Sequence, residues 1–555
     1  MSARLVNLWV FRENRRSVSG REIKSSLLAC LKSLCPTSSR DQLAAALLRA
    51  GELECAVADE GRVPVNDWMA LTERLAEAVF SPIADLDFNA LLRLVEAAPV
   101  PDQVEVSPPE GFAYYALDPF SYCEAVEEIC SPHSAAVVGI RSIGTTLSAV
   151  VTAAARRRGI KAERITVRPE GHPYNRQTTF LPLQLEFARR HAEADSQILV
   201  VDEGPGLSGS SFLSAAEALE RAGVARQRIT LVCSHEPCLE NFRAEDGPRR
   251  ARRFCWKAIP NQPRLPAGIQ NFIGGGKWRS HLFPTEQEWP AAWISLERLK
   301  YLSSAEGTER KLLKFVGLGY YGDRVLDREA RVAEAGFGPL PNRESNGFAW
   351  YPWIAGSPMR NGDASESVLA RLAAYCAFRA REFAASHADL GGFEQMTEHN
   401  LTQSKIALPL GLKLERPVIA DGRMQPHEWL GTPRGQMLKA DSGAHGDDHF
   451  CPGPTDIAWD LAGAVVEWNM TSAQKLFFLE RYSAASGDDA AARVGDYIVA
   501  YAVFRHAYCR MAANALPGTN EERRLESAAE GYRTVLLRHA RITDRPPEVL
   551  AGLGT

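Results

Sequence analysis

Apolar side chains recur at three- and four-residue steps across residues 41–60 and 67–80, and the spacing predicts amphipathic helices through the first hundred residues. The pattern then changes. Prolines at 99, 101, 108 and 109 suggest a linker, and from Phe112 onward short β-rich runs alternate with helical ones. The runs at 135–140, 164–169, 197–202 and 229–233 are short and β-rich, and between them lie helical stretches such as 146–159 and 211–223. That alternation predicts a doubly wound parallel sheet with crossover helices. A second loosening at 263–278 includes Gly274–Lys277, which reads as an interdomain hinge. A strand-rich stretch over 291–356 follows, and then a helix-dominated lobe interrupted by a polar segment from 400 to 458. A structureless segment of that length inside a compact domain usually carries function.

These boundaries suit a chain of 555 residues, long enough for three or four folding units. The predicted class is α/β plus α+β: a helical N-terminal region (1–105), a parallel-sheet unit (110–260) and a bilobal C-terminal unit (280–545). The 64 Lys and Arg against 68 Asp and Glu give a net charge of -4, which argues against nucleic acid as a partner. No apolar run approaches a membrane span, the N-terminus does not read as a signal peptide, and the 11 scattered cysteines suit a reducing compartment. The expectation is a cytoplasmic protein acting on a small molecule or nucleotide. Its oligomeric state is left open.

Two constellations carry chemistry. In the first, Asp202 and Glu203 end a buried strand, and the small-residue loop Gly204–Ser211 leads into a helix. Backbone N–H groups and hydroxyls of Ser208, Gly209, Ser210 and Ser211 are suited to a phosphate at the helix start. Upstream, Arg141, Ser142 and Thr145 sit in a second strand–loop–helix turn suited to another phosphate or a pyrophosphate. Together these segments resemble the type I phosphoribosyltransferase family over roughly residues 110–240. The resemblance implies phosphoribosyl pyrophosphate as substrate, with Asp202 and Glu203 on the ribose hydroxyls and 208–211 on the 5′-phosphate. It further implies Arg141, Ser142 and Thr145 on pyrophosphate, Mg2+ screening that leaving group, and a mobile loop over 168–176 carrying Arg168 and Arg176. A pocket that only senses such a ligand is the alternative.

In the second constellation, a strand carrying Lys314 precedes a helix carrying Glu329 and the aromatic strand and turn 347–356. This order resembles the small lobe of aminoglycoside-phosphotransferase-like kinases, which implies Lys314 and Glu329 at the phosphates of ATP. Phosphoryl transfer further needs a carboxylate at the acceptor hydroxyl and others on Mg2+. The family's spacing puts Asp421 at the catalytic aspartate, Asp441 at the metal, and His427 or Glu428 in place of a metal-binding Asn. Matching the loop proline to Pro426 instead puts Arg423 at the aspartate position and Glu428 at the Asn. Asp447, within His445-Gly446-Asp447-Asp448-His449, is the third option, and the same cluster also suits a metal hydrolase. Gly317, Gly319 and Gly322 spell a lone dinucleotide-type motif. The combined expectation is a bifunctional transferase, with phosphoribosyl transfer at one site and ATP-dependent phosphorylation at the other. The alternative is a phosphoribosyl- or nucleotide-sensing regulator in a stress or defence role.

Overall fold

The computed structural model describes residues 7–542 apart from 13–14, 81–85, 129–133, 270, 304–309, 387, 389, 409 and 447. Its first layer holds β1 (Arg16–Ser19), α1 (Gly20–Ser33), α2 (Arg40–Glu60), α3 (Asn66–Glu77), α4 (Phe88–Ala97) and β2 (Gln103–Val106). Helix α2 starts at a capping box between Ser39 and Gln42 and stops at Gly61, whose φ of 68° suits glycine. The expected linker is partly a strand. β2 pairs antiparallel with β1 and buries Val104 and Val106, because its alternating pattern offers one apolar face to the helices.

The second layer follows as α5 (Glu110–Ala113), β3 (Ser134–Ile140), α6 (Ile143–Arg157), β4 (Lys161–Val167), α7 (Pro182–Glu193), β5 (Gln197–Val201), α8 (Ser210–Arg221), β6 (Ile229–Cys233), α9 (Gly247–Ala251) and β7 (Cys255–Ala258). Its strands form the expected parallel sheet, in the order β4-β3-β5-β6-β7. Helix α6 is buried over nearly its whole length, since Ala149, Val150 and Ala153 face α1–α4 while Leu147, Val151 and Ala154 face the sheet. Across that seam Arg164 of β4 and Glu54 of α2 pair at 2.8 Å with both side chains fully buried, and Glu73 of α3 adds a second carboxylate at 3.0 Å.

The third layer opens with β8 (Asn271–Phe272), β9 (Lys300–Leu302), β10 (Lys311–Phe315), α10 (Tyr320–Glu334), β11 (Asn342–Arg343) and β12 (Phe348–Pro352). They make a five-stranded antiparallel sheet in the order β11-β12-β10-β9-β8. The remainder is β13 (Ser357–Pro358), α11 (Glu366–Glu382), α12 (Gly391–Gln403), β14 (Pro417–Val418), β15 (Trp429–Gly431), β16 (Met437–Lys439), β17 (Thr455–Asp456), α13 (Ala458–Glu467), α14 (Ser472–Ser486), α15 (Ala491–Asn514) and α16 (Asn520–Ile542). The polar segment 400–458 therefore carries four short strands, β14 to β17, with Trp429 and Met424 fully buried.

The layers share cores, which the expectation of three separate units did not contain. Leu147 of α6 and Val201 of β5 pack in one cluster with Leu313, Phe315 and Phe348 of the antiparallel sheet. Residues 7–12 leave the N-terminal helices altogether: Val10 is buried in the C-terminal helical core, and Arg12 N–H donates to the His449 carbonyl at 3.0 Å. The Gly274–Lys277 stretch is anchored where a hinge was expected. Gly276 N–H donates to Glu297 at 2.8 Å, and buried Arg279 pairs with Glu521 at 2.8 Å. A charge inside protein is tolerated only when compensated. Replacing Glu54 by Ala is therefore expected to lower the unfolding free energy by about 3 kcal/mol, measured by urea denaturation; a loss within the noise of a surface substitution would show the seam does not depend on it.

Candidate functional site

Beyond the carboxyl ends of the parallel strands lies a broad cleft, the usual place for a ligand on such a sheet. Asp202 and Glu203 leave β5 directly into its wall, together with Ser142, Arg168, Arg176 and the Gly204–Gly206 turn. Asp202 accepts the Glu203 N–H at 2.9 Å. Burial pushes the Asp202 carboxyl up to about 7. Burial, then the neighbouring Asp202 and Glu110 carboxylates, push Glu203 up to about 8.

Other expected ligand contacts are spent within the protein. Arg141 donates to Asp59 at 3.1 Å and to the Ala58 carbonyl at 3.0 Å, and Arg168 donates to the same Asp59 at 3.0 Å. Burial opposes ionisation of Asp59, but Arg168 and Arg141 outweigh it and hold the carboxyl below its ordinary range. Thr145 is fully buried with an unpartnered hydroxyl. Ser208 and Ser210 share a hydrogen bond at 3.0 Å, and Ser210 donates to the Pro173 carbonyl at 2.6 Å. Gly209 has φ 66° and lies against the Phe242 ring, while Ser211 lies in the first turn of α8. Among the described residues, Arg141, Thr145 and the 208–211 turn are not in the cleft wall.

In the C-terminal layer the sequence-predicted residues do converge. Register places Lys314 opposite Ala349 of β12 and Lys300 of β9, and points its side chain into the seam below the sheet. The ammonium lies 2.5 Å from Asp441 and 3.6 Å from Glu329 of α10, with the lysine side chain 4% exposed. Tyr351 hydroxyl donates to Glu329. Behind them Lys439 reaches Asp421 at 3.6 Å and Glu428 at 3.7 Å, and His445 bridges Asp421 at 3.4 Å and Asp441 at 3.5 Å. Burial alone would raise these acids. Lys439, His445 and Arg379 hold Asp421 down at about 2, and Lys314 with His445 holds Asp441 well below the carboxylate range.

Asp421 itself is fully buried and accepts the Tyr375 hydroxyl at 2.5 Å. Its backbone N–H and that of Gly422 each donate to Asp460 of α13 at 2.8 Å. Arg423, the next side chain, lines a small cleft with Asp421, His445, Asp448, Arg505 and Tyr508. Asp447 lies outside the described residues. The flanking histidines diverge: His445 serves the two acids, whereas His449 stacks on Phe11 and meets the Tyr115 hydroxyl at 3.4 Å. Among the described residues no three His, Cys, Asp or Glu side chains converge to hold a metal, and the histidine–aspartate cluster of the metal-hydrolase expectation includes Asp447, outside them. Asp441 and Glu428, each 15% exposed, are hard oxygen donors of the kind Mg2+ takes when nucleotide phosphates supply the remaining ligands.

The glycine motif has a packing role. A Cβ at Gly319 would stand 3.0 Å from Ala45 of α2, and one at Gly322 would strike the Gly317 carbonyl. Sequence reasoning missed Arg379, which donates to the Tyr375 hydroxyl, the Ser442 carbonyl and the Ile419 carbonyl at 3.1, 3.0 and 2.7 Å. Its only signal was a polar residue four positions after Tyr375 on the buried face of α11. Asp59 was equally silent, being one acid at the end of a charged helix.

No family model matches the chain, and no curated protein does. Among solved structures it is similar to choline kinase LicA from Streptococcus pneumoniae, with 14% identity, a TM-score of 0.30, and coverage of 42% of this chain and 89% of that one. It is similar to macrolide 2′-phosphotransferase MphH from Brachybacterium faecium, with 14% identity, a TM-score of 0.31, and coverage of 43% and 91%. An aminoglycoside phosphotransferase from Alicyclobacillus acidocaldarius gives 13%, 0.30, and coverage of 52% and 98%.

Proposed function

We propose that the C-terminal layer is an ATP-dependent phosphotransferase-like unit. Lys314, aligned by Glu329, would take the nucleotide phosphates, and Asp441 with Glu428 would hold the accompanying Mg2+. The observation that carries this reading is the convergence on one ammonium of two acids from different elements, Glu329 at 3.6 Å and Asp441 at 2.5 Å. A buried lysine needs a single carboxylate for neutrality. A second acid beside it, partly open to solvent, suits an ammonium that also faces polyphosphate and an acid that also faces its metal. When bound, Mg2+ supplies charge neutralisation across the phosphates. The chain's own residues do the rest: Tyr351 fixes Glu329, Lys439 and His445 keep Asp421 and Asp441 ionised, and Arg379 ties the loop to α11. Asp421, closed off from solvent, is read as a positioning group for His445 and Lys439.

For the parallel-sheet layer, one observation favours ligand sensing over phosphoribosyl transfer. Asp59 already engages both Arg141 and Arg168, the guanidiniums a pyrophosphate leaving group would need. The raised Asp202 and Glu203 carboxyls are also poor stabilisers of a cationic ribose while protonated.

Three outcomes test these readings. Lys314→Ala is expected to weaken Mg-ATP binding at least tenfold by isothermal titration, the scale of one lost charge-assisted contact; unchanged affinity would remove the nucleotide from this site. Phosphoribosyl pyrophosphate with Mg2+ is expected to bind without releasing pyrophosphate in a coupled assay, and sustained release would restore the transferase. Glu203→Gln should matter only at high pH. A carboxyl whose folded value is raised stabilises the native state less as pH climbs from its unfolded value towards about 8. The variant is therefore expected to melt at the wild-type temperature near pH 5 and roughly 2–4 °C higher near pH 9; a constant offset would deny the burial of this charge.

A further inference from the structure

The loop that follows Asp421 presents a cation to the small cleft beside His445. The Asp460 carboxylate grips the N–H groups of Asp421 and Gly422, so the first side chain free to leave the loop is Arg423. Its backbone N–H reaches Asp421 at 3.3 Å, and its side chain lines the small cleft with His445, Arg505, Tyr508 and the carboxylates Asp421 and Asp448. Arg505 is engaged by Glu467 at 3.6 Å and by Tyr532 at 3.3 Å. The Arg423 guanidinium makes no hydrogen bond or ion pair with a described residue. It lies in the field of Tyr508, Glu428, Asp448 and Asp441, which raise its affinity for its proton against the opposing effect of burial.

A guanidinium is a permanent donor that cannot take a proton from an alcohol, and its planar fork matches carboxylate and phosphate oxygens. Asp421 offers no replacement, being fully buried with its oxygens facing Tyr375, His445 and Lys439. An alcohol acceptor requires a base to receive its proton as it attacks. A carboxylate or phosphate is already ionised at neutral pH and requires none.

Resting on the nucleotide reading above, we infer that the acceptor of this site is an oxyanion, a carboxylate or phosphate group held by Arg423 in the cleft beside His445, which in turn contacts Asp441. In the corresponding step an acceptor oxygen forms the new bond to the γ-phosphorus. The bond from that phosphorus to the bridging oxygen of ADP breaks, its electron pair leaves on ADP, and no proton is transferred from the acceptor. The products are ADP and an acyl phosphate or a phosphoanhydride.

The test titrates the full-length chain with inorganic phosphate and, separately, with acetate, each with and without saturating Mg-ADP. At least one anion is expected to bind wild type, with affinity reduced tenfold or more by Arg423→Gln and less by Arg423→Lys. Arg434→Gln, on an exposed turn, serves as the control for charge alone. Tighter binding of phosphate assigns a phosphorylated acceptor, and tighter binding of acetate a carboxylic acid. Equal binding by wild type and Arg423→Gln, or binding of neither anion, overturns the inference. Should Arg423→Gln fail to fold, phenylglyoxal labelling of wild-type Arg423, followed by mass spectrometry, replaces it: slowing by the anion supports the site and unchanged labelling overturns it. Loss of the nucleotide reading registers separately, as Mg-ADP binding indifferent to Lys314→Ala while the anion still depends on Arg423.

Discussion

A charge withdrawn from water must find its counter-charge inside the protein, and this constraint organises the molecule from end to end. Arg164 and Glu54, both fully buried, lock the N-terminal helices onto the parallel sheet. Arg279 and Glu521 tie the start of the C-terminal layer to its last helix. Lys314, Asp441, Lys439, Asp421 and Arg379 form a run of alternating sign beneath the antiparallel sheet. Removing one member of such a run exposes the others to an uncompensated field, so these residues are constrained as a set.

The same constraint separates the two clefts. In the C-terminal layer acids and cations alternate, and the carboxylates are held ionised, ready for a metal or an ammonium. At the parallel sheet the basic groups have been drawn toward Asp59, leaving Asp202, Glu203 and Glu110 together and burial free to raise the carboxyl values. One arrangement is poised to hold polyanions through a cation. The other gathers carboxyls whose ionisation burial opposes.

Shared cores make the layers one mechanical body. The segment 7–12 is pinned to the His449 and Phe450 region of the C-terminal layer, and Arg12 and Arg15 also line the cleft of the parallel sheet. Leu318 N–H donates to the Phe112 carbonyl at 3.0 Å, and the Tyr321 hydroxyl of α10 donates to Glu52 of α2 at 2.9 Å. Arg12 thus lines one cleft while its segment pairs with Phe450 and Cys451, which line the other.

The amino-acid sequence by itself determined the elements whose periodicity is local: helices α2, α3 and α6, the apolar strands β3, β5 and β6, and the strand–helix pair that presents Lys314 and Glu329. These were legible because a period of 3.6 or a short apolar run is written in neighbouring residues. Only the tertiary structure decided what depends on distant partners. Val104 and Val106 became a strand through β1, Asp59 captured Arg141 and Arg168 from 82 and 109 residues away, and Asp460 set which side chain of the 421–423 loop faces the cleft. A carboxylate carries no sign in sequence of which cation it will meet. Its partner is chosen by packing, and the chemistry of both clefts follows from that choice.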